Sequence, residues 1–232
     1  YTGFLVNICE TSSGVYYNLD LISDFCQKND IFLVVDAISS FLANPLNMTE
    51  QKIDVVITGS QKALACPPGI SIIVLSKNAL KRVENNECKC MYFDLNDALK
   101  NGERGQTPFT PAVSILLQIN ARLNEIKKQG GVESEIKRIS ILANDFRSKI
   151  SDLPFEIKTE SLSNSVTAVF CKSGSAKEIV DILKFEYDIW INPNGGELGD
   201  KMFRVGHIGN LTVEDNEKLI NAFHDLKNKG II

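Results

Sequence analysis

The chain has 232 residues, is 44% hydrophobic and 23% charged, and carries a formal net charge of −4. That length and apolar content suffice for a sizeable core, which sets the chain apart from disordered sequences. Mild acidity without a basic stripe argues against a nucleic-acid partner, and no apolar run approaches the roughly 20 residues of a membrane span.

In chain order, Phe4–Ile8 reads as a strand in mid-sheet. Asn18–Asn29 reads as a helix carrying Leu19, Leu21, Ile22 and Phe25, and Ile31–Ile38 as a strand. Strands Val55–Thr58 and Ser71–Ser76 follow, then a short helix Lys77–Asn86 and a Pro- and Thr-rich loop Gly105–Pro111. Helices Ala112–Lys128 and Val132–Leu153 flank Gly130-Gly131. Beyond them come strands Phe155–Thr159 and Val166–Cys171, helix Ala176–Tyr187, strands Ile189–Asn192 and Met202–Val205, and helix Val213–Lys229. The alternation implies an α/β fold with a mainly parallel sheet, followed by a small α+β unit. A boundary at Gly130-Gly131 divides residues 1–130 from residues 131–232. The cysteines are Cys9, Cys26, Cys66, Cys88, Cys90 and Cys171, and only Cys88 and Cys90 are close in sequence. With His207 and His224 the only histidines, no metal site is expected, and the thiols read as reduced, in keeping with a cytoplasmic protein.

Two strand ends carry the chemistry. The apolar run Ile31–Val35 delivers Asp36 into an Asp-Ala-Ile-Ser-Ser turn, and Val55–Thr58 delivers Lys62 through Gly59-Ser60-Gln61. In an α/β sheet both groups then lie outside the carboxyl ends of the strands, where ligands bind. Taken singly, such an Asp is most often a turn or cap residue and such a Lys is most often exposed. A lysine among Gln61, Ala63 and Leu64, just before Pro67-Pro68-Gly69, is poorly placed as a solvated side chain. A buried lysine with a buried aspartate is what pyridoxal phosphate requires. The amine forms a Schiff base, and the carboxylate keeps the pyridine nitrogen protonated.

The segments VVDAISS (Val34–Ser40) and TGSQKALACPPGIS (Thr58–Ser71) resemble the class V aminotransferases, of the serine–pyruvate and alanine–glyoxylate type. The resemblance implies the fold type I, aspartate aminotransferase-like major domain for residues 1–130, with an N-terminal part of that domain lying before Tyr1, and a small C-terminal domain for residues 131–232. It gives Lys62 the Schiff base, Asp36 the pyridine nitrogen, and Ile38 one face of the ring. Thr11, in Glu10-Thr11-Ser12-Ser13-Gly14, falls to the phenolic oxygen, and Gln61 to the phosphate. Thr110 falls to the phosphate of a neighbouring subunit's cofactor, which implies a homodimer with a shared site. Thr107 stands where many relatives carry tyrosine. Arg204, in Met202-Phe203-Arg204-Val205-Gly206-His207, falls to the substrate α-carboxylate, and His207 to a structural place.

The implied reaction moves an amino group between a small amino acid, of alanine or serine type, and a 2-oxo acid of glyoxylate or pyruvate type. A 2-aminoethylphosphonate–pyruvate aminotransferase and a non-catalytic fragment of such an enzyme stay open as alternatives. The cysteine desulfurases of this fold place a histidine before the lysine, where this chain has Gln61.

Overall fold

The computed structural model describes residues 1–232. The first part of the chain contains β1 (Gly3–Asn7), β2 (Cys9–Glu10), β3 (Val15–Tyr16), α1 (Leu19–Lys28), β4 (Phe32–Asp36), β5 (Val55–Gly59) and β6 (Ser71–Leu75). Then come α2 (Lys77–Glu84), α3 (Leu95–Glu103), α4 (Val113–Lys128) and α5 (Val132–Lys149). The last part contains β7 (Phe155–Glu156), β8 (Val166–Cys171), α6 (Ala176–Glu186), β9 (Asn192–Pro193), β10 (Met202–Gly206) and α7 (Val213–Asn228).

The first sheet has the order β1-β4-β5-β6. β1 and β5 both run parallel to β4, with Asn7 opposite Asp36 and Asp36 opposite Ile57, while β6 returns antiparallel to β5. The sheet is therefore mainly parallel, as the alternation of strands and helices requires. Leu33, Val35 and Val56 form its core with Ile8, Leu19 and Cys26. Asn18 caps α1 by accepting from the Leu21 N–H, and Asp20 sits in the positive first turn.

The second sheet, β7-β8-β10-β9, is antiparallel throughout. Helices α5, α6 and α7 pack with it around an aromatic centre. Phe155 meets Phe203 at 5.4 Å and Phe223 at 4.9 Å, both edge to face. A third cluster joins Ala63 and Leu64 to Leu42 and to Ile119 and Ile126 of α4, with Ile208 packed against it. This cluster carries the loop after β10 onto the turn that holds Lys62.

Within this chain β1 pairs only with β4, and Leu5 is 77% exposed. Three expectations change. The expected strand Ile189–Asn192 shrinks to Asn192–Pro193: Asp188 turns at φ +54 and the Ile189 N–H closes α6 onto the Leu183 carbonyl. α5 stops at Lys149, where the Ile150 N–H closes the last turn onto the Phe146 carbonyl, and Pro154 disfavours helical backbone at Leu153, so the helix does not reach it. The strand after it covers only Phe155–Glu156. All six cysteines are free thiols, and no helix is long and apolar enough to cross a membrane.

Candidate active site

Lys62 sits on a loop closed by one serine. The Ser60 N–H donates to the Ile70 carbonyl at 3.0 Å, and Ser60 Oγ donates to the Pro67 carbonyl at 2.7 Å. The Ile70 N–H donates back to Ser60 Oγ at 3.3 Å. Ala63 and Leu64 anchor the loop by burial, so Lys62 has little freedom to swing away. Gln61 folds back over Gly59, where a Cβ would meet its Oε1 at 2.7 Å. Glycine makes room for that approach.

Thr11, Ser39, Gln61 and Lys62 form one side of a cavity of about 480 Å³. Ser165, Val166, Trp190 and Asn192 supply part of the other side, and Ile208, Gly209 and Leu211 belong to it as well. The walls thus come from the carboxyl ends of the first sheet and from the β8 and β10 region of the second. Thr11 Oγ1 and Ser39 Oγ are hydrogen-bonded at 2.8 Å. None of the chain's ion pairs involves Lys62, so its amine is free to act in the cavity. A smaller cleft of about 340 Å³, between Arg82, Lys52 and Asp54, opens where β4 begins, at the opposite end of the sheet.

Of the residues expected at the site, Thr11, Gln61 and Lys62 meet in the cavity wall, whereas Asp36, Ile38, Thr110 and Arg204 lie outside it. Lys62 and Asp36 are half-buried rather than buried, because each sits where its strand opens towards the cavity. Asp36 Oδ1 accepts the Ile38 N–H at 2.9 Å, which directs the turn towards Ser39. Thr110 is exposed in the loop before α4, and the Thr107 hydroxyl donates to the Phe109 carbonyl at 2.6 Å.

Arg204 Nη2 donates to the Pro193 carbonyl at 2.8 Å, and its Nε is buried without a partner. Its strand partner Asn192 lines the cavity, as does Gly206 on the same face of β10. Glu10 lies nearby and is held below the usual carboxylate range, chiefly by hydrogen bonds from Ser12 Oγ and the Ser12 N–H, with the Arg204 charge adding to them. His207 is 1% exposed, and its Nε2 lies 2.8 Å from Thr167 Oγ1. Burial pushes its pKa down to about 3, helped by the neighbouring Arg147 charge, so the ring is neutral near pH 7.

Ser39, Ser165, Trp190, Ile208 and Leu211 are cavity residues that sequence reasoning did not single out. Ser39 carried a visible signal, since it lies in the turn that Asp36 opens. The others reach the cavity only through the packing of the two sheets.

The donor set fits pyridoxal phosphate. An unpaired amine at Lys62 suits the aldehyde, the Thr11–Ser39 hydroxyl pair suits a phenolic oxygen, and the Gln61 amide suits a phosphate. Arg204 Nε is a further donor without a partner, buried on the strand that pairs with Asn192 of the cavity wall.

A sequence model of the family described as aminotransferase class-V matches residues 4–200. The serine–glyoxylate aminotransferase of Arabidopsis thaliana is 32% identical over 209 residues, covering 87% of this chain and 52% of that protein. The L-aspartate–glyoxylate aminotransferase of Paracoccus denitrificans is 30% identical over 209 residues, covering 88% of this chain and 52% of that protein. The chain spans about half the length of the curated relatives it matches. In fold it superposes on the alanine–glyoxylate aminotransferase of a Nostoc species with a TM-score of 0.89, at 24% identity, over 97% of this chain and 62% of that one. The chain belongs to the class V aminotransferase family.

Proposed function

We propose that this chain carries the lysine-bearing part of a pyridoxal phosphate-dependent transaminase, one that passes an amino group from a small amino acid to a 2-oxo acid of glyoxylate or pyruvate type. One observation carries the reading. The half-buried Lys62, on a loop fixed by Ser60, presents an unpaired amine to a cavity shared with Thr11, Ser39 and Gln61. The names of the serine–glyoxylate and aspartate–glyoxylate relatives support glyoxylate as acceptor and a small amino acid as donor.

When bound, pyridoxal phosphate supplies an aldehyde for Lys62 and a ring that takes up electron density from the substrate's α-carbon. The protein's own groups do the rest. Lys62 Nζ would take the proton from the substrate's α-carbon as general base and, as general acid, deliver it to the former aldehyde carbon. The Asp36 carboxylate, at the end of β4, holds a proton on the pyridine nitrogen, and Ile38 packs one ring face. Thr11, oriented by Ser39, donates to the phenolic oxygen, and Gln61 donates to the phosphate. Thr110 completes that contact from a second subunit in a homodimer. Arg204 would pair with the substrate carboxylate and so orient the α-carbon–hydrogen bond. The division at Gly130-Gly131 belongs to this reading and is supported by the separate clusters around Val35 and Phe203.

The test uses the complete protein with added pyridoxal phosphate. Borohydride reduction followed by peptide mass analysis is expected to find the pyridoxyl group on Lys62. Alanine and serine, each with glyoxylate or pyruvate, are expected to give amino transfer that Lys62→Ala abolishes. Normal turnover by Lys62→Ala refutes the assignment.

A further inference from the structure

One face of the cavity is held by a buried ionic clamp that the reaction itself does not use. Glu135 of α5 is 3% exposed, although it shares the buried face of that helix with Ile139, Leu142 and Phe146. Burying a carboxylate is costly unless cations and hydrogen bonds satisfy it. Two arginines do so. Arg122 of α4 donates to Glu135 Oε1 at 2.6 Å, and Arg138 grips both carboxylate oxygens, through Nη2 at 2.8 Å and Nε at 2.9 Å. Glu125 balances the second positive charge by pairing with Arg122 at 3.0 Å.

The remaining donors of Arg138 point away from the carboxylate. Nη1 donates to the Leu211 carbonyl at 2.8 Å and Nη2 to the Gly209 carbonyl at 2.7 Å. Gly209 and Leu211 both line the cavity that contains Lys62. Gly209 adopts φ +91 and faces the Lys62 loop: a Cβ there would lie 3.9 Å from Ala65 Cβ. Ile208, just before it, packs against the cluster that includes Ala63 and Leu64. A single guanidinium thus fixes two backbone carbonyls that a flexible loop would otherwise expose to water, and one carboxylate sets the guanidinium's plane.

We infer that Arg138, oriented by Glu135 and Arg122, is a positioning residue that sets the cavity wall facing Lys62 and thereby the fit of the amino substrate. The inference rests on the cavity being the substrate site. Lysine at position 138 keeps the charge but supplies a point donor that cannot span the carboxylate and both carbonyls. In Arg138→Lys the KM for the amino donor is expected to rise about ten- to a hundredfold while kcat changes little and pyridoxal phosphate remains bound. Arg138→Ala is expected to behave alike, with partial recovery on adding guanidinium. If Arg138→Ala does not fold, Arg138→Lys carries the test, with its melting curve as the control.

A second readout does not depend on turnover. Amide hydrogen exchange at Thr212, whose N–H donates to Asp215 Oδ2 and shares a peptide with the Leu211 carbonyl that Arg138 holds, is expected to quicken in Arg138→Lys while β10 and α7 keep their protection. An unchanged KM in a folded, cofactor-loaded variant overturns the inference, and so does unchanged exchange in that loop. A wild-type protein that takes up no pyridoxal phosphate refutes the proposed function instead, and the exchange result then still decides whether Arg138 holds the loop.

Discussion

The hydroxyls of Thr11 and Ser39 lie 2.8 Å apart, joining the turn after β2 to the turn after β4. Ser39 is 8% exposed, so the bond is shielded from water on the side away from the cavity. Thr11 by itself is a rotor with three staggered positions, and Ser39 selects among them.

Ser39→Ala is therefore expected to weaken pyridoxal phosphate binding even though Ser39 has no contact role of its own in the proposed mechanism. One neutral hydrogen bond contributes about 1 kcal/mol, which corresponds to roughly a fivefold loss of affinity. Fluorescence titration of the cofactor measures this directly, and an unchanged affinity removes Ser39 from the site.

Arg204 supplies the second expectation. A bidentate guanidinium–carboxylate pair includes hydrogen bonds of about 1.5–3 kcal/mol, so Arg204→Ala is expected to raise the KM for 2-oxo acids by roughly ten- to a hundredfold. Arg204→Lys recovers only part of the loss. If steady-state kinetics show equal KM values for all three proteins, the guanidinium serves only to brace Pro193.

Acid is the third probe. His207 has a folded pKa of about 3, well below its ordinary value. Its contribution to stability is therefore complete above the unfolded-state pKa near 6.5 and is lost as pH falls from there towards 3. Across that window the unfolded chain takes up a proton that the folded chain refuses, at a cost of about 1.4 kcal/mol for each pH unit. Urea unfolding of His207→Gln between pH 7 and 4 is expected to show a flatter pH dependence than wild type. Parallel curves exclude His207 as the cause.

In the second core, Phe223 is fully buried and stacks edge to face on Phe155. Phe223→Ala is expected to cost about 3–5 kcal/mol by removing apolar contacts and leaving a void. A calorimetric loss below 1 kcal/mol would mean that α7 collapses into the space.

The sequence made some of this legible and hid the rest for identifiable reasons. The β-branched runs before Asp36 and Lys62 could hardly be other than buried strands, and the structure has them in adjacent parallel and antiparallel pairs. Helix α3 escaped notice because none of its residues is buried, so it lacks an apolar face to advertise it. Its one signal was Asp94, which caps the helix by accepting from Asn96 and Asp97. The β2–β3 hairpin is only two residues deep on each side, too short for a period to show. Glu135 was readable in principle, since it lies in register with Ile139, Leu142 and Phe146, where a carboxylate demands explanation. Its partner Arg122 and the carbonyls beyond Arg138 come from distant sequence, and no local pattern reveals them. The same holds for Trp190 and Leu211 in the cavity wall.

The loop that carries Lys62 joins β5 to β6, strands that pair antiparallel and are close neighbours along the chain. Closing so short a loop costs little entropy, and contacts of this kind form early in folding. The cavity is different in kind: Thr11 and Leu211 stand near opposite ends of the sequence, and their meeting waits for the two sheets to dock. The hydrogen bonds that close the lysine's loop are local, whereas its anchoring cluster and the chamber around it draw on distant parts of the chain. Cofactor capture would then report on the last long-range step of assembly rather than on the formation of the lysine's own loop.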